Sequence, residues 1–523
     1  MRRNTVLLIL IMAASFVLRV GGLEWGFIFD RKLGYVSTVN DDERRELRAL
    51  GQMNPRNLDF NPDEAQREGP LHPYVVAPFL AAAHIIGYAT LAPDETHYKE
   101  HPHEMRKLFM VGRLVSSLLG AAGVFAVYAL GKRFFNVSLG LLAAALYAVF
   151  PIESVQSTYF RSYTLANLLL IGMLWQAMRV ARGGKKRTPY LVFGFLGGLA
   201  FSTRVAMLPA MVMLPVAELF RRDGIRWRWM GFAALACIGG VVASNPYLLI
   251  EPAKTLAAMT SQFQYGGSVF DIAVHVKNIP GVLGAAAKAF TAPALAAAAI
   301  GMAIAIRKES SLAWIGAVFA AVYGYAVMLG GAYATIPRFG MPFSPLIALA
   351  AAGGLLAARR WIFRAIGRTG SVLAGFAVCA IILYAALYDA AHIAAARRLP
   401  TLERAAAWIE ANIAPEAEIG VTYRHAHFKE LDYTRYVNIT ELTDDLSGLE
   451  TARPQYLVLL PDICCDFYKN AYPQRAYDPA LAAYGYREIV RFADQPSLGP
   501  FIFKNRIDRQ VGFEVRVYSL ENE

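Results

Sequence analysis

The stretch MVGRLVSSLLGAAGVFAVYALGKR, residues 110–133, decides the fold class of this chain. From Leu114 to Gly131 it carries no charged residue, and Lys132-Arg133 close it. A helix needs roughly 20 apolar residues to cross a hydrocarbon core about 30 Å thick, and this stretch supplies them. The pattern recurs near residues 5–23, 137–151, 164–181, 189–203, 205–220, 229–248, 282–305, 312–333, 341–358 and 371–389, so eleven spans are expected. Composition agrees. Of 523 residues 56% are hydrophobic and 18% charged, where a soluble domain has about 45–50% and 25%, and mean hydropathy is +0.35. The sequence reads as a polytopic α-helical membrane protein, which excludes a disordered chain and an ordinary soluble enzyme.

The net charge of +12 could suggest nucleic acid, but the cations stand in short runs between apolar blocks. Arg2-Arg3, Lys132-Arg133, Lys185-Lys186-Arg187, Arg221-Arg222, Arg307-Lys308 and Arg359-Arg360 follow the positive-inside pattern of cytoplasmic loops. The four cysteines form no disulfide framework: Cys237 and Cys379 lie in apolar spans, and Cys464-Cys465 are adjacent. No small-residue cleavage site follows Val20, so the first span reads as uncleaved.

The loops sort by charge. Residues 24–109 and 249–281 fall outside and the basic loops inside, provided that Tyr74–Leu91 lies along the outer surface without crossing. Residues 1–389 then form the membrane domain, with a juxtamembrane helix near 74–91. Residues 390–523 form a soluble extracytoplasmic α/β domain, opened by an amphipathic helix from Leu402 to Ile413 and continued by strands at 418–421, 456–460 and 513–518.

Chemistry concentrates in the outer loops. Val39-Asn40-Asp41-Asp42-Glu43 sets three carboxylates beside the membrane, where acids usually face a water-filled cavity or a cation. A general base for a hydroxyl acceptor needs such a group, although the same residues suit a solvated helix capped by Asn40 or Asp41. Ile152 to Tyr163 holds Glu153, Arg161 and Tyr163. Arg204 interrupts an apolar block, and Arg338 stands in Pro337-Arg338-Phe339-Gly340-Met341-Pro342. His97 and His101 have helical zinc-ligand spacing, but Pro102 follows them, and a solvated loop is the better reading. No glycine-rich nucleotide loop is present.

The order of these segments resembles the GT-C superfamily of polyprenyl-phosphate-sugar-dependent glycosyltransferases, nearest to protein O-mannosyltransferases and lipid A aminoarabinose transferases. The matching residues are Asp42-Glu43, Met53-Asn54-Pro55, Gly69 to Tyr74, Arg113, Gly131 to Phe135, Gly197 to Arg204, Asn245 to Leu248, Pro337 to Pro342 and Ala407 to Asn412.

The resemblance implies a GT-C-like fold and a transferase that passes a sugar from a polyprenyl phosphate to an extracytoplasmic hydroxyl on protein, lipid or glycan. It puts the catalytic aspartate on Asp42 beside Glu43, with Asp41 and Asp63 as rivals. Arg161, Tyr163, Arg204, Arg338 and Glu153 become candidates for binding donor phosphate or sugar. Many relatives carry a second acid about twelve residues after the proline of the next outer loop. Here that position is Tyr163, so no acid pair points to a metal, and a divalent ion stays open. A lipid-sugar flippase and an inactive scaffold are the competing readings. The resemblance and the loop charges place the chain in a prokaryotic inner membrane with the N-terminus cytoplasmic. Reporter fusions after Asp389 and near Asp94 should both read outside; an inside signal at Asp94 would make Tyr74–Leu91 a crossing and redraw the topology.

Overall fold

The computed structural model describes the chain except residues 1, 32, 184–185, 265–270, 330–335, 399, 422–429, 433–434, 437, 442–446, 461–480, 499, 504–513 and 522–523. The Cys464-Cys465 pair lies outside the described residues. The chain divides into two compact units, residues 1–23, 45–86 and 109–389 in one, and 24–44, 87–108 and 390–523 in the other. Residues 24–109 are divided between the two units.

The first unit is helical. It begins with α1 (Arg2–Val20), whose polar end at Arg19 is buried in the unit. The guanidinium Nε donates to Ser157 Oγ at 3.2 Å, and Nη1 donates to the carbonyls of Ser15 and Ala148, each at 3.1 Å. A charge buried in an apolar bundle is costly unless it finds polar partners, and these bonds fix α1 against the segments around 148 and 157. Arg113 does the same for the loop exit, its Nη1 donating to the Leu23 carbonyl at 2.6 Å.

α2 (Asp41–Gln52) starts in the second unit and ends in the first. α3 (Leu71–Ile85) has 15 residues, about 22 Å at 1.5 Å per residue, too short for the hydrocarbon core if straight. In the second unit, α4 (Thr96–Glu100) occupies the stretch expected as a solvated loop, with Tyr98 buried. It stops before Pro102, which opens α5 (Pro102–Phe134), a helix of 33 residues. Then come α6 (Val137–Ala148), α7 (Pro151–Gln156), α8 (Tyr163–Ala181), α9 (Thr188–Thr203), a 3-10 turn Val205–Val212 leading into α10 (Met213–Leu219), and α11 (Trp227–Ser244). Gly194 and Gly198 let α9 lie backbone to backbone on α11: a Cβ on Gly198 would stand 2.2 Å from the Cys237 carbonyl oxygen. This is the small-residue packing of membrane helices.

Two short helices, α12 (Tyr247–Ile250) and α13 (Pro252–Gln264), precede α14 (Ile272–Phe290) and α15 (Ala292–Arg307). The single span expected at 282–305 is instead a pair bent by 104°. The break falls at Thr291 (φ 66°, ψ 141°), and Pro293 in the next turn has no N–H to carry a helix through it. α16 (Ser311–Tyr323) continues as a π-helical stretch, Gly324–Leu329. A 3-10 turn at Pro337–Phe343 leads into α17 (Ser344–Ala396), which changes direction at Gly367 (φ 72°, ψ −150°) and so supplies the last two expected spans. Among the described residues six helices are long and apolar enough to cross a membrane, seven with the bent pair. Three expected spans, α6, α9 and 205–219, are shorter than 18 residues.

The second unit contains the hairpin β1 (Phe27–Asp30) and β2 (Tyr35–Thr38), and α18 (Thr401–Asn412). A five-stranded mixed sheet follows, formed by β3 (Glu418–Val421), β4 (Asn438–Glu441), β5 (Tyr456–Leu459), β6 (Tyr486–Phe492) and β9 (Val515–Leu520) in the order β4-β3-β5-β9-β6. β7 (Ser497–Leu498) and β8 (Phe501–Ile502) make a separate small hairpin. β3 lies parallel to β4 and β5; β9 is antiparallel to β5 and β6. α18 covers one face through Leu402, Ala405, Ala406 and Ile409, against Ile419, Val421, Val458 and Val517. β3, β5 and most of β9 match the expected strands; β4 and β6 are additions. Arg31 joins the first hairpin to this domain, 3.2 Å from Glu410 and 3.4 Å from Asp432.

Glu430 is buried in this unit. Burial, with the nearby Glu403 and Asp30 carboxylates adding to it and Arg44 opposing, pushes its carboxyl up to about 8. The folded state therefore holds a proton that the unfolded chain releases near its ordinary value of 4.5. Folding stability falls as pH rises through that window. Glu430→Gln should raise the unfolding temperature of the detergent-solubilised protein at pH 9, with the gain fading toward pH 4.5. A pH-independent difference would refute this.

Candidate active site

α2 begins where β2 ends. Asn40 caps it, its Oδ1 accepting the backbone N–H of Asp42 at 3.0 Å. Carboxylates in the first turn are favoured by the helix dipole, and Asp41, Asp42 and Glu43 all stand there. Asp41 pairs with Arg44, which also reaches Asp30 at 3.7 Å. Glu43 is buried and accepts a 2.7 Å hydrogen bond from Thr38 Oγ1, so it anchors the start of the helix to β2. Asp42 is half-buried between them.

The rest of the candidates lie in the membrane unit. Arg204 sits at the C-terminal end of α9, in extended backbone. Its guanidinium stacks on the Tyr163 ring, 3.9 Å from the centroid, and Nη1 donates to Ser162 Oγ at 3.1 Å. A cation over an aromatic face in a desolvated place contributes about 2 kcal/mol, enough to hold the guanidinium in one place. Arg161, buried, precedes Ser162 in the chain and lies over the Tyr159 ring at 5.3 Å. Arg161, Tyr163 and Arg204 are thus gathered at the start of α8.

Arg338 stands on the 3-10 turn before α17, over Phe339 at 5.5 Å. That turn is tied to α8, where Asn167 Nδ2 donates to the Met341 carbonyl at 3.0 Å. Glu153 faces a different neighbour: buried on α7, its Oε1 accepts from the same Asn167 at 2.7 Å. It reads as a link between α7, α8 and the Arg338 turn. Asp63 is half-exposed, 2.6 Å from Lys254 Nζ, and only a short 3-10 turn separates it from Gly69.

Two acids were not singled out by the sequence. Glu68 Oε1 accepts from Arg45 Nη1 at 2.6 Å, and Oε2 lies 3.8 Å from Arg204 Nη1. Glu46 Oε2 is 3.1 Å from Nδ1 of the fully buried His72, whose ring packs on Phe160 at 5.6 Å. Arg45 and Glu46 are adjacent on α2, so this helix is joined twice to the segment Glu68–His72. Among the described residues no group of three or more His, Cys, Asp or Glu side chains is placed to hold a metal ion.

Residues 106–247 match the family described as dolichyl-phosphate-mannose-protein mannosyltransferase. The matched tract contains Glu153, Arg161, Tyr163 and Arg204. Among solved structures, the archaeal oligosaccharyltransferase AglB from Archaeoglobus fulgidus, in complex with an inhibitory peptide and a dolichol-phosphate, aligns with a TM-score of 0.50 at 14% identity, over 96% of this chain and 74% of that one. ArnT from Cupriavidus metallidurans bound to undecaprenyl phosphate aligns with a TM-score of 0.49 at 14% identity, over 97% of each chain. The fold is GT-C-like. No curated protein matches the chain in sequence. The polytopic helical body, the small C-terminal sheet domain and the likeness to the mannosyltransferase family all agree with the sequence reading.

Glu68 depends on Gly69, which has φ +132° and would bring a Cβ within 2.4 Å of the Ser202 carbonyl oxygen. Replacement by alanine combines a backbone strain of order 1–3 kcal/mol with a clash against main chain. Gly69→Ala should lower thermal stability in detergent by several degrees, whereas Gly87→Ala, at φ +74° but in open space, should cost less. Equal losses would show that the close approach to Ser202 is unimportant.

Proposed function

We propose that this protein is an integral-membrane glycosyltransferase that moves one sugar from a polyprenyl-phosphate donor to an extracytoplasmic hydroxyl acceptor. The observation that carries the reading is the Arg161–Ser162–Tyr163–Arg204 cluster, which lies inside the tract resembling protein mannosyltransferases. Polyprenyl phosphates are also what the aligned AglB and ArnT structures contain.

In this reading the acceptor oxygen attacks the anomeric carbon as the bond from that carbon to the phosphate oxygen breaks. Configuration inverts. Asp42 takes the hydroxyl proton, and the electron pair of the broken bond leaves on the polyprenyl phosphate. Arg204, Arg161 and Arg338 hold that phosphate, since a planar guanidinium can pair two phosphate oxygens at once and fixed charge at a developing anion lowers the barrier. Tyr163 and Ser162 keep Arg204 aimed. Glu43 and Glu153 serve by fixing α2 and the Arg338 turn. The donor's lipid tail keeps it in the outer leaflet, so the N-terminus is cytoplasmic and the C-terminal domain extracytoplasmic, as the basic clusters favour.

The test follows label from polyprenyl-phosphate sugars to acceptor with purified protein. Asp42→Asn keeps the volume but accepts no proton, and should slow transfer by about 10²–10⁴ with donor binding little changed. Asp63→Asn should keep most activity. Arg338→Met should weaken donor binding while the protein stays folded. Loss of transfer in Asp63→Asn but not in Asp42→Asn would move the base to Asp63.

A further inference from the structure

Arg204 has a third neighbour besides Tyr163 and Ser162. Glu68 stands 3.8 Å from it, too far for a direct hydrogen bond and close enough to offset its charge. The same carboxylate is held by Arg45 at 2.6 Å, and the Glu68 carbonyl accepts the Val205 N–H at 3.2 Å. The main chain thus fixes Glu68 beside the residue following Arg204, while Arg45 restrains the carboxylate from closing on the guanidinium. A phosphate arriving at Arg204 meets an acid already in place.

The chemistry of transfer makes such an acid useful. The donor is a phosphodiester with one negative charge. The product is a phosphate monoester carrying about −1.5 to −2 near neutral pH. Arginines alone would grip the product more tightly than the donor. A fixed carboxylate repels the second charge and so narrows that difference.

We infer that Glu68 limits how tightly Arg204 holds phosphate and thereby promotes release of the polyprenyl phosphate product. The inference rests on Arg204 being a phosphate ligand, and it makes Glu68 a positioning and charge-balancing residue rather than a catalytic one.

The experiment measures binding of undecaprenyl phosphate to the full-length protein in detergent, with thermal unfolding as a check on folding. Glu68→Gln should bind it about three- to fivefold more tightly, the scale of a partly exposed ion pair. Its gain for an alkyl ester of undecaprenyl phosphate, a monoanion like the donor, should be smaller. Arg45→Gln lets Glu68 act fully on Arg204 and should weaken binding, and adding Glu68→Gln to it should restore binding. Arg204→Met should lose binding by tenfold or more. Unchanged binding in Arg204→Met overturns both the phosphate assignment and this inference. If Arg204→Met loses binding but Glu68→Gln binds no tighter, or gains equally for the ester, or fails to restore the Arg45→Gln variant, the inference falls and the assignment of Arg204 stands.

Discussion

A charge inside an apolar body must be met by a partner, and the membrane unit is arranged around that constraint. Arg19 meets it with the Ser15 and Ala148 carbonyls and Ser157. Arg113 meets it with the Leu23 carbonyl. In each case a cation from one helix bonds main chain or a hydroxyl of a distant segment, so the electrostatic need also fixes the packing. Apolar contact alone could not do this among lipid tails, which are as apolar as the helix surfaces.

The candidate site applies the same rule with a difference. Arg204 is held by a ring face, a hydroxyl and a carboxylate just beyond bonding distance. These contacts orient the guanidinium. Glu153 and Asn167 carry the order one layer further, since Asn167 links α7, α8 and the turn bearing Arg338.

The second unit obeys a softer physics. Its sheet is covered by one amphipathic helix, and its tie to the first hairpin, through Arg31, Glu410 and Asp432, is partly solvent-exposed. Pairs of that kind contribute about 1 kcal/mol or less, so they orient the hairpin more than they stabilise it.

Periodicity and charge placement made much of this legible. The long spans, the helix α3, α18, β3 and β5 are local facts, because each follows from apolar runs or alternation within its own segment. The bend at Thr291 was hidden because an apolar tract reads the same straight or broken; β4 and β6 were missed because polar and apolar residues mix in them. Arg161, Tyr163 and Arg204 could be named from the chain as cations and an aromatic between apolar spans. That Arg204 stacks on Tyr163 could not, since they are 41 positions apart and only the packing of α8 on α9 brings them together. Glu68 shows the limit most clearly. In sequence it is one acid among many before a Gly-Pro turn; beside Arg204 and Arg45 it acquires a meaning, because the strength of a charge depends on the distance to its partners and the water excluded between them, and only the tertiary structure sets either.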